Sequence, residues 1–459
     1  MAEIARKALI DIVGEENFTQ NLIDLISYSK DASEHSHRPH AAVWPTTTEQ
    51  ISAILDLANR EKFPVIARGA GTSLAGLAVP EKGGVILDLC RMNKIISISI
   101  EDRLAVVQPG VVYAELERTL APHDFFFPPD PASGTVSTLG GNVATNAGGI
   151  KGAKYGTTKD YVLSLQVVLP DGRILHTGSK CMKSASGYDL TRLFVGSEGT
   201  LGVITEITLK INPKPSLSST AMATFEDLED AGRAVSEIMH SGILPSALEV
   251  VDQQTLIAIN QNTDLNLPEV EAILVAETDG HTREETQFQL NKIIEIFKKN
   301  NASTVKQAKT KEEAEALWAA RKSAYAVMSR INNNLLVEDL SVPMSKVPDM
   351  LKAISDLAKK YNLKIPTVGH AGDGNLHPTI SFDGTDADEV KRVEEASAEL
   401  FKKVIKLNGT LTGEHGIGLA KAPYMHLEHD PVTMDVMRSI KRLFDPHNIL
   451  NPGKMALEV

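Results

Sequence analysis

Cysteine is nearly absent from this chain: Cys90 and Cys181 are the only two thiols in 459 residues. That is too few for a disulfide framework or for an iron–sulfur cluster held by four thiolates, and it fits a reducing compartment. Basic charge is also in short supply. Lys and Arg number 47 against 59 Asp and Glu, for a formal net charge of −12. Such a balance repels the phosphates of nucleic acid, and no run of Lys and Arg offers a local basic patch. No apolar stretch reaches the roughly 18–20 residues that a membrane span needs. The N-terminal MAEIARKALIDIVGEENF mixes acids into its apolar residues, with no apolar h-region or small-residue cleavage site. These absences lead us to expect a soluble, cytoplasmic protein. Biased tracts and repeats of solenoid length are missing as well, so the chain reads as globular, and its length calls for two or more domains.

Residues 1–35 read as an N-terminal helical segment, with Ile4, Ala8, Ile12 and then Leu22, Leu25, Ile26 at helical spacing. Residues 36–213 form a first domain of short β-rich runs such as FPVIAR, GVILDL, LAVVQPG and SLQVVLPDG. Its helix TEQISAILDLANREK is expected to be capped by Thr48. Past Pro213–Pro215 the texture changes to long amphipathic helices (FEDLEDAGRAVSEIMHSG, DMLKAISDLAKKYNL) interleaved with strands (EAILVAETDG, NLLVEDLSVP). We therefore expect an α+β second domain, residues 214–415, of antiparallel sheet covered by helices. Residues 416–459, rich in turn residues, are expected to pack back on the first domain.

Three glycine-rich loops punctuate the first domain: RGAGTSLAG (68–76), GGNVATNAGG (140–149) and GSEGTLG (196–202). Consecutive backbone amides without Cβ obstruction can converge on phosphate oxygens, and hydroxyls at Thr72, Ser73, Thr145 and Ser197 add donors. A tight turn explains any one loop equally well. Gly69, Gly71 and Leu74 miss the third glycine of the dinucleotide fingerprint, so a Rossmann unit is not supported. Three separated loops suggest instead a cofactor lying across the domain.

The second domain contains HAGDGNLH (370–377) and GEHG (413–416). Gly372 and Gly374 disfavour a helix between the histidines. A hairpin with IPTVGH and LHPTISF as strands would put His370 and His377 at facing strand ends, roughly 4.5–5.5 Å apart at Cβ. Two imidazoles so placed can share a cation, with Glu414 as a third ligand, or they can simply cap a polar hairpin. Asp373 suits the turn.

The succession RGAGTSLAG, PPDPAS, GGNVATNAGG, KYG, SGYDL and GSEGTLGVIT, followed by HAGDGNLH and GEHG, resembles the vanillyl-alcohol-oxidase superfamily of FAD-linked oxidases. Within it the group that joins the flavin-binding chain of glycolate oxidase with D-lactate dehydrogenase is most similar, from about residue 40 to the C-terminus. The resemblance implies a two-subdomain FAD-binding domain of the PCMH type and a cap domain. It implies FAD contacts at Arg68, Gly69, Ala70, Gly71, Thr72, Ser73, Pro131, Gly141, Thr145, Gly148, Glu198, Gly199, Val203 and Asn451. The first loop lacks the histidine that tethers flavin in some members, so the FAD is expected to be non-covalent. The resemblance further implies a divalent metal (zinc, manganese or iron) on His370, His377 and Glu414, with His415 as the base beside it.

Arg321, in LWAARKSAYAVMSR, stands where relatives present an arginine to the substrate carboxylate, with Arg330 as the fallback. Relatives that act on 2-hydroxyglutarate place a lysine in the strand that follows, whereas this chain has Val337 and Glu338, then Asp339. The expected activity is therefore oxidation of a small D-2-hydroxy acid, D-lactate or glycolate in preference to a dicarboxylate. The alternatives are a dehydrogenase of the D-2-hydroxyglutarate type, acting on a dicarboxylate, or a non-catalytic FAD subunit that relays electrons. Expected partners are an electron-transfer flavoprotein, an iron–sulfur subunit or a quinone as acceptor, and a second copy of the chain in a homodimer.

Overall fold

The computed structural model describes residues 3–458. Glu3 and Ile4 are described by backbone alone, so the Ile4 side chain of the N-terminal stripe lies outside the described residues. The chain forms two compact units. One gathers the chain up to Gly148, Thr157–Lys214 and the chain from Glu414 onward; the other gathers Gly149–Gly156 and Pro215–Gly413.

The first unit is built on two main sheets, with a short pairing of Phe125–Phe126 and Asn212–Pro213 beside them. In the smaller, Ala41–Val43 and Val65–Arg68 flank Val85–Asp88 in parallel, and Phe18–Thr19 adds an antiparallel edge. In the larger, five antiparallel strands run in the order Ile95–Ser99, Leu104–Val107, Val203–Lys210, Val162–Val168, Ile174–Gly178. The helix Thr48–Glu61 buries Ile51, Ile54, Leu55 and Ala58 at helical spacing. Its cap is Thr47 rather than Thr48: the Thr47 side chain accepts from the Gln50 amide, the usual reach of an N-cap oxygen. The described part of residues 1–35 belongs to the first unit. The helix Glu3–Val13 places Leu9 and Val13 in the same apolar cluster as Ile51, Ile54, Val65 and Val85. In the second helix, Leu22–Ser27, only Leu25 is buried, while Leu22 and Ile26 face solvent.

The C-terminal residues complete the smaller sheet. Val65 N–H donates to Ile449 O at 2.7 Å and Asn451 N–H to Val65 O at 2.9 Å, so Leu450 pairs in parallel beside Val65. Buried Lys441 ties this return down through Asp445, Thr200 O and Leu450 O.

The second unit is an antiparallel sheet of eight strands. Its main path runs Thr304–Gln307, Leu217–Phe225, Ala272–Gly280, Ala247–Asp252, Thr367–His370, Asn375–Phe382, Asn334–Val337, with Leu340–Ser341 also paired to Asn375–Phe382. Helices Leu228–His240, Arg283–Lys299, Val347–Tyr361 and Ala387–Lys406 pack as amphipathic cover, each burying one apolar stripe. The segment 149–156 lies in this unit, although its sequence is embedded in the first domain. Ile150 joins the apolar cluster around Val251 and Trp318, and both Lys154 Nζ and Tyr155 Oη bond to Asp279. Burial of that apolar side chain and satisfaction of Asp279 pull these residues out of the flanking loop.

The two thiols differ sharply. Cys181 is exposed, whereas burial and the neighbouring Asp88 push the Cys90 thiol up to about 12. Burial and a nearby carboxylate both disfavour thiolate, the reactive form. Iodoacetamide at pH 8 should therefore label Cys181 alone, with Cys90 alkylated only after denaturation. Peptide mapping that finds both labelled in the native protein would contradict this.

Candidate active site

In the second unit, the strands Thr367–His370 and Asn375–Phe382 form the expected hairpin, but in a different register. His370 pairs with Asn375 and His377 with Val368, so the histidines are diagonal neighbours and not directly opposed. The cause is the tight turn: Gly374 N–H reaches back to His370 O at 3.1 Å, and Asp373 Oδ1 accepts from the Asn375 amide at 3.2 Å. Both rings still lie on one face of the sheet, as alternate residues must. Their centroids are 5.1 Å apart, nearly perpendicular, and a ring nitrogen of each lies within 4.8 Å of the other.

Each histidine has a buried carboxylate beside it. Glu249 stands opposite His370 in the ladder, and its Oε1 lies 2.7 Å from His370 Nδ1. Its Oε2 accepts from Arg321 Nε at 2.6 Å. Burial works against ionisation of Glu249, but His370 and Arg321 outweigh it and hold the carboxyl below the ordinary glutamate range. A carboxylate on Nδ1 fixes the tautomer and directs Nε2 outward, the arrangement found behind metal-ligating histidines. Asp339 Oδ1 lies 3.8 Å from His377 Nδ1 and accepts from Asn375 Nδ2 at 2.8 Å, while Oδ2 accepts from Thr412 Oγ1. This donor set of two buried imidazoles, backed by carboxylates, fits a divalent cation. The cation would be held by His370 and His377.

Sequence reasoning missed Glu249 and misjudged Asp339. The available signal was an acid in the middle of the apolar strand ALEVVD, on the face shared with Ala247 and Val251. Arg321 is at the site, but one edge of its guanidinium is already committed to Glu249. Arg330 is exposed on the surface. The hairpin turn is packed by the 149–156 segment, since a Cβ at Gly152 would strike Asp373 Oδ2 and one at Gly372 would lie 2.9 Å from Ala153 Cβ. The last residue of this unit, Gly413, packs on Asn375 and Asp339, and the chain then runs directly into Glu414 and His415.

In the first unit, the three glycine loops meet one another. Gly69 packs on Thr138 Oγ1, which also accepts from the Gly141 amide at 3.3 Å. Gly196 N–H donates to Val143 O and Glu198 N–H to Ala144 O, each at 2.9 Å, which joins the third loop to the second. Asn451 Nδ2 donates to Glu198 O at 2.7 Å and to Leu77 O at 3.0 Å, which brings the C-terminal residues to the same place. Glu414 belongs here too: a Cβ at Gly148 would fall 2.6 Å from Glu414 Oε2, so only glycine lets that carboxylate lie on the loop.

Ser137 Oγ, Asn142 Nδ2 and Asn451 Oδ1 are buried with no hydrogen-bond partner among the described residues. Buried polar atoms are rarely left so. A cofactor offering both donors and acceptors would satisfy them. The loops therefore fit FAD.

Several of the residues expected at FAD have side chains engaged within the protein. Thr145 Oγ1 donates to Gly141 O at 3.2 Å within its own helix turn, so its hydroxyl proton is spent locally. Arg68 Nη1 donates to Lys30 O at 2.9 Å, with the guanidinium over the Tyr28 ring. Ser73 Oγ accepts from the Ala75 amide at 3.2 Å. Pro131 O closes a turn with Gly134 N–H at 2.8 Å. Gly71 and Gly199 hold positive φ angles of 73° and 67°, and Val203 opens a buried strand. Ala70 is exposed and Thr72 half-buried in the first loop. The Glu198 carboxylate accepts from Ile417 N–H at 2.6 Å and Gly418 N–H at 2.8 Å, and burial pushes it up to about 7 against the pull of those two amides. Ser137 and Asn142 were not foreseen from the sequence, where they read as ordinary polar residues among small ones.

Comparison with known proteins agrees with this architecture. Residues 214–455 match the model described as FAD linked oxidases, C-terminal domain, and residues 39–178 match that of an FAD binding domain. The chain belongs to the FAD-linked oxidases and is an FAD-dependent oxidoreductase. It is 45% identical over 452 residues to the glycolate oxidase subunit GlcD of Bacillus subtilis, covering 98% of this chain and 96% of that one. It is 35% identical to a D-lactate dehydrogenase of Anaerostipes hadrus, covering 100% and 96% of the two chains. The structure of p-cresol methylhydroxylase superposes with a TM-score of 0.83 at 21% identity, over 98% of this chain and 96% of that one, which establishes the shared fold. No helix among the described residues is long and apolar enough to cross a membrane.

Proposed function

We propose that this protein oxidises a small D-2-hydroxy acid, D-lactate or glycolate, to the 2-oxo acid, with non-covalent FAD and a divalent metal ion. The observation that carries this reading is the buried pair His370 and His377, with Glu249 bonded to His370 Nδ1 at 2.7 Å. Relatives named as a glycolate oxidase subunit and as a D-lactate dehydrogenase support the substrate class.

His370, His377 and Glu414 would hold the metal, which when bound supplies a Lewis acid for the oxygens of the substrate. When bound, FAD supplies the acceptor for the hydride that leaves the substrate carbon. The chain's own groups do the rest. Arg321, held along one edge by Glu249, offers its remaining N–H groups to the substrate carboxylate, a geometry guanidinium suits. His415 takes the hydroxyl proton onto a ring nitrogen. Neither Val337 nor Glu338 supplies the cation that a second carboxylate would need at this strand. That disfavours 2-hydroxyglutarate.

Anaerobic bleaching of the flavin absorbance tests the assignment. D-Lactate or glycolate should bleach it and D-2-hydroxyglutarate should not, and acid precipitation should release the flavin into the supernatant. Failure of every hydroxy acid to bleach would point to the relay subunit instead.

A further inference from the structure

We propose that Glu198 is a positioning residue, whose buried carboxylate clasps the loop bearing Glu414 and His415. The idea deepens the function proposed above and rests on it for the role of His415.

Resemblance alone gives Glu198 to the flavin, but its side chain is turned to the loop. Both carboxylate oxygens are engaged, one by the amide of Ile417 and one by that of Gly418. Successive backbone N–H groups aimed at a single anion form a nest, and here the nest is filled from within the protein. The pairing is closely built. Glu198 is 5% exposed, and a Cβ at Gly416 would fall 2.9 Å from its Oε1. Gly416 has φ +86°, so an ordinary residue would be strained there as well as crowded. Glu198 itself sits at φ 53°, unusual for a residue with a side chain. That backbone is pinned by Asn451 Nδ2 on Glu198 O and by Glu198 N–H on Ala144 O.

The far side of the loop is also fixed, since Ala75 O accepts from Leu419 N–H at 2.9 Å and Ala420 N–H at 3.2 Å. Residues 416–420 are thus anchored to the third and first glycine loops. His415 lies two residues before the clasped amide. Proton transfer depends on sub-ångström placement, and a shift of about 1 Å at a reacting group can lower the rate about 10²-fold.

Glu198→Gln in the FAD-loaded protein tests this. The amide keeps the shape but presents an N–H donor to one of the two backbone donors, so the clasp is half lost. We expect the rate constant of flavin bleaching at saturating D-lactate to fall about 10–100-fold, with flavin content and the KM for D-lactate little changed. Amide exchange should rise in residues 415–419 and not elsewhere in the unit. In a His415→Ala background the substitution should slow bleaching no further, because the two residues act through one group. Weakened FAD binding with a normal rate in the loaded enzyme would assign Glu198 to the cofactor and overturn the proposal. So would unchanged exchange at 415–419, or uniform acceleration across the unit. Should wild type be bleached by no hydroxy acid, the function proposed above fails, and the exchange measurement still decides whether Glu198 holds the loop.

Discussion

Replacing His415 with alanine should slow anaerobic bleaching of the bound flavin by D-lactate about 10²–10⁴-fold, the usual range for loss of a general base. Flavin content should stay at the wild-type level, because the glycine loops that fit FAD are bonded to one another without the imidazole. The loop that follows His415 is anchored at Ile417, Gly418, Leu419 and Ala420, so truncating the ring should remove a proton acceptor without releasing the backbone. Stopped-flow bleaching at saturating substrate measures the loss directly. A rate constant equal to wild type would remove His415 from the chemistry and leave proton removal to solvent or another group.

Substitution of Glu249 should act twice. The Glu249 side chain is 0% exposed and Arg321 14%, so Glu249→Ala leaves a guanidinium with its buried partner gone. Breaking such a pair destabilises by about 3–5 kcal/mol. His370 also loses the carboxylate that orients it, and removal of an outer partner of this kind typically weakens metal binding about 10–100-fold. Urea denaturation after chelation reads the first effect, and calorimetric titration with Zn²⁺ or Mn²⁺ reads the second. Glu249→Gln preserves packing while withdrawing the charge from both neighbours, so whatever loss it shares with Glu249→Ala belongs to the charge and not to the missing side-chain volume. Cation affinity unchanged in both variants would mean that His370 needs no orienting partner, and the metal reading would lose its main support.

Much of the fold was legible because the signals were local. Amphipathic spacing in FEDLEDAGRAVSEIMHSG and DMLKAISDLAKKYNL gave helices now seen at Leu228–His240 and Val347–Tyr361. Glycines at 372 and 374 gave the hairpin. The register within it was harder to read, because it depends on how the four-residue turn closes on His370 O and not on the pattern of the strands. Glu249 and Arg321 were invisible as a pair: they are 72 positions apart, and only the ladder and the packing of helix Ala319–Met328 bring them together. The 149–156 segment illustrates the same limit. Its composition matches its flanks, and what removes it from them is a distant acid, Asp279. Motif resemblance singled out Glu198, yet could not say which way its side chain turns.

The seam between Val65 and Leu450 bears on how the protein is made. The Val65 edge is translated early, but the strand that closes it emerges only after the whole of the second unit. At about 5–20 residues per second, the edge stays open for some tens of seconds. Throughout that interval an apolar strand margin is available to any passing chain. Newly made protein should therefore depend on holdase chaperones, and truncation ahead of Leu450 should send it into inclusion bodies.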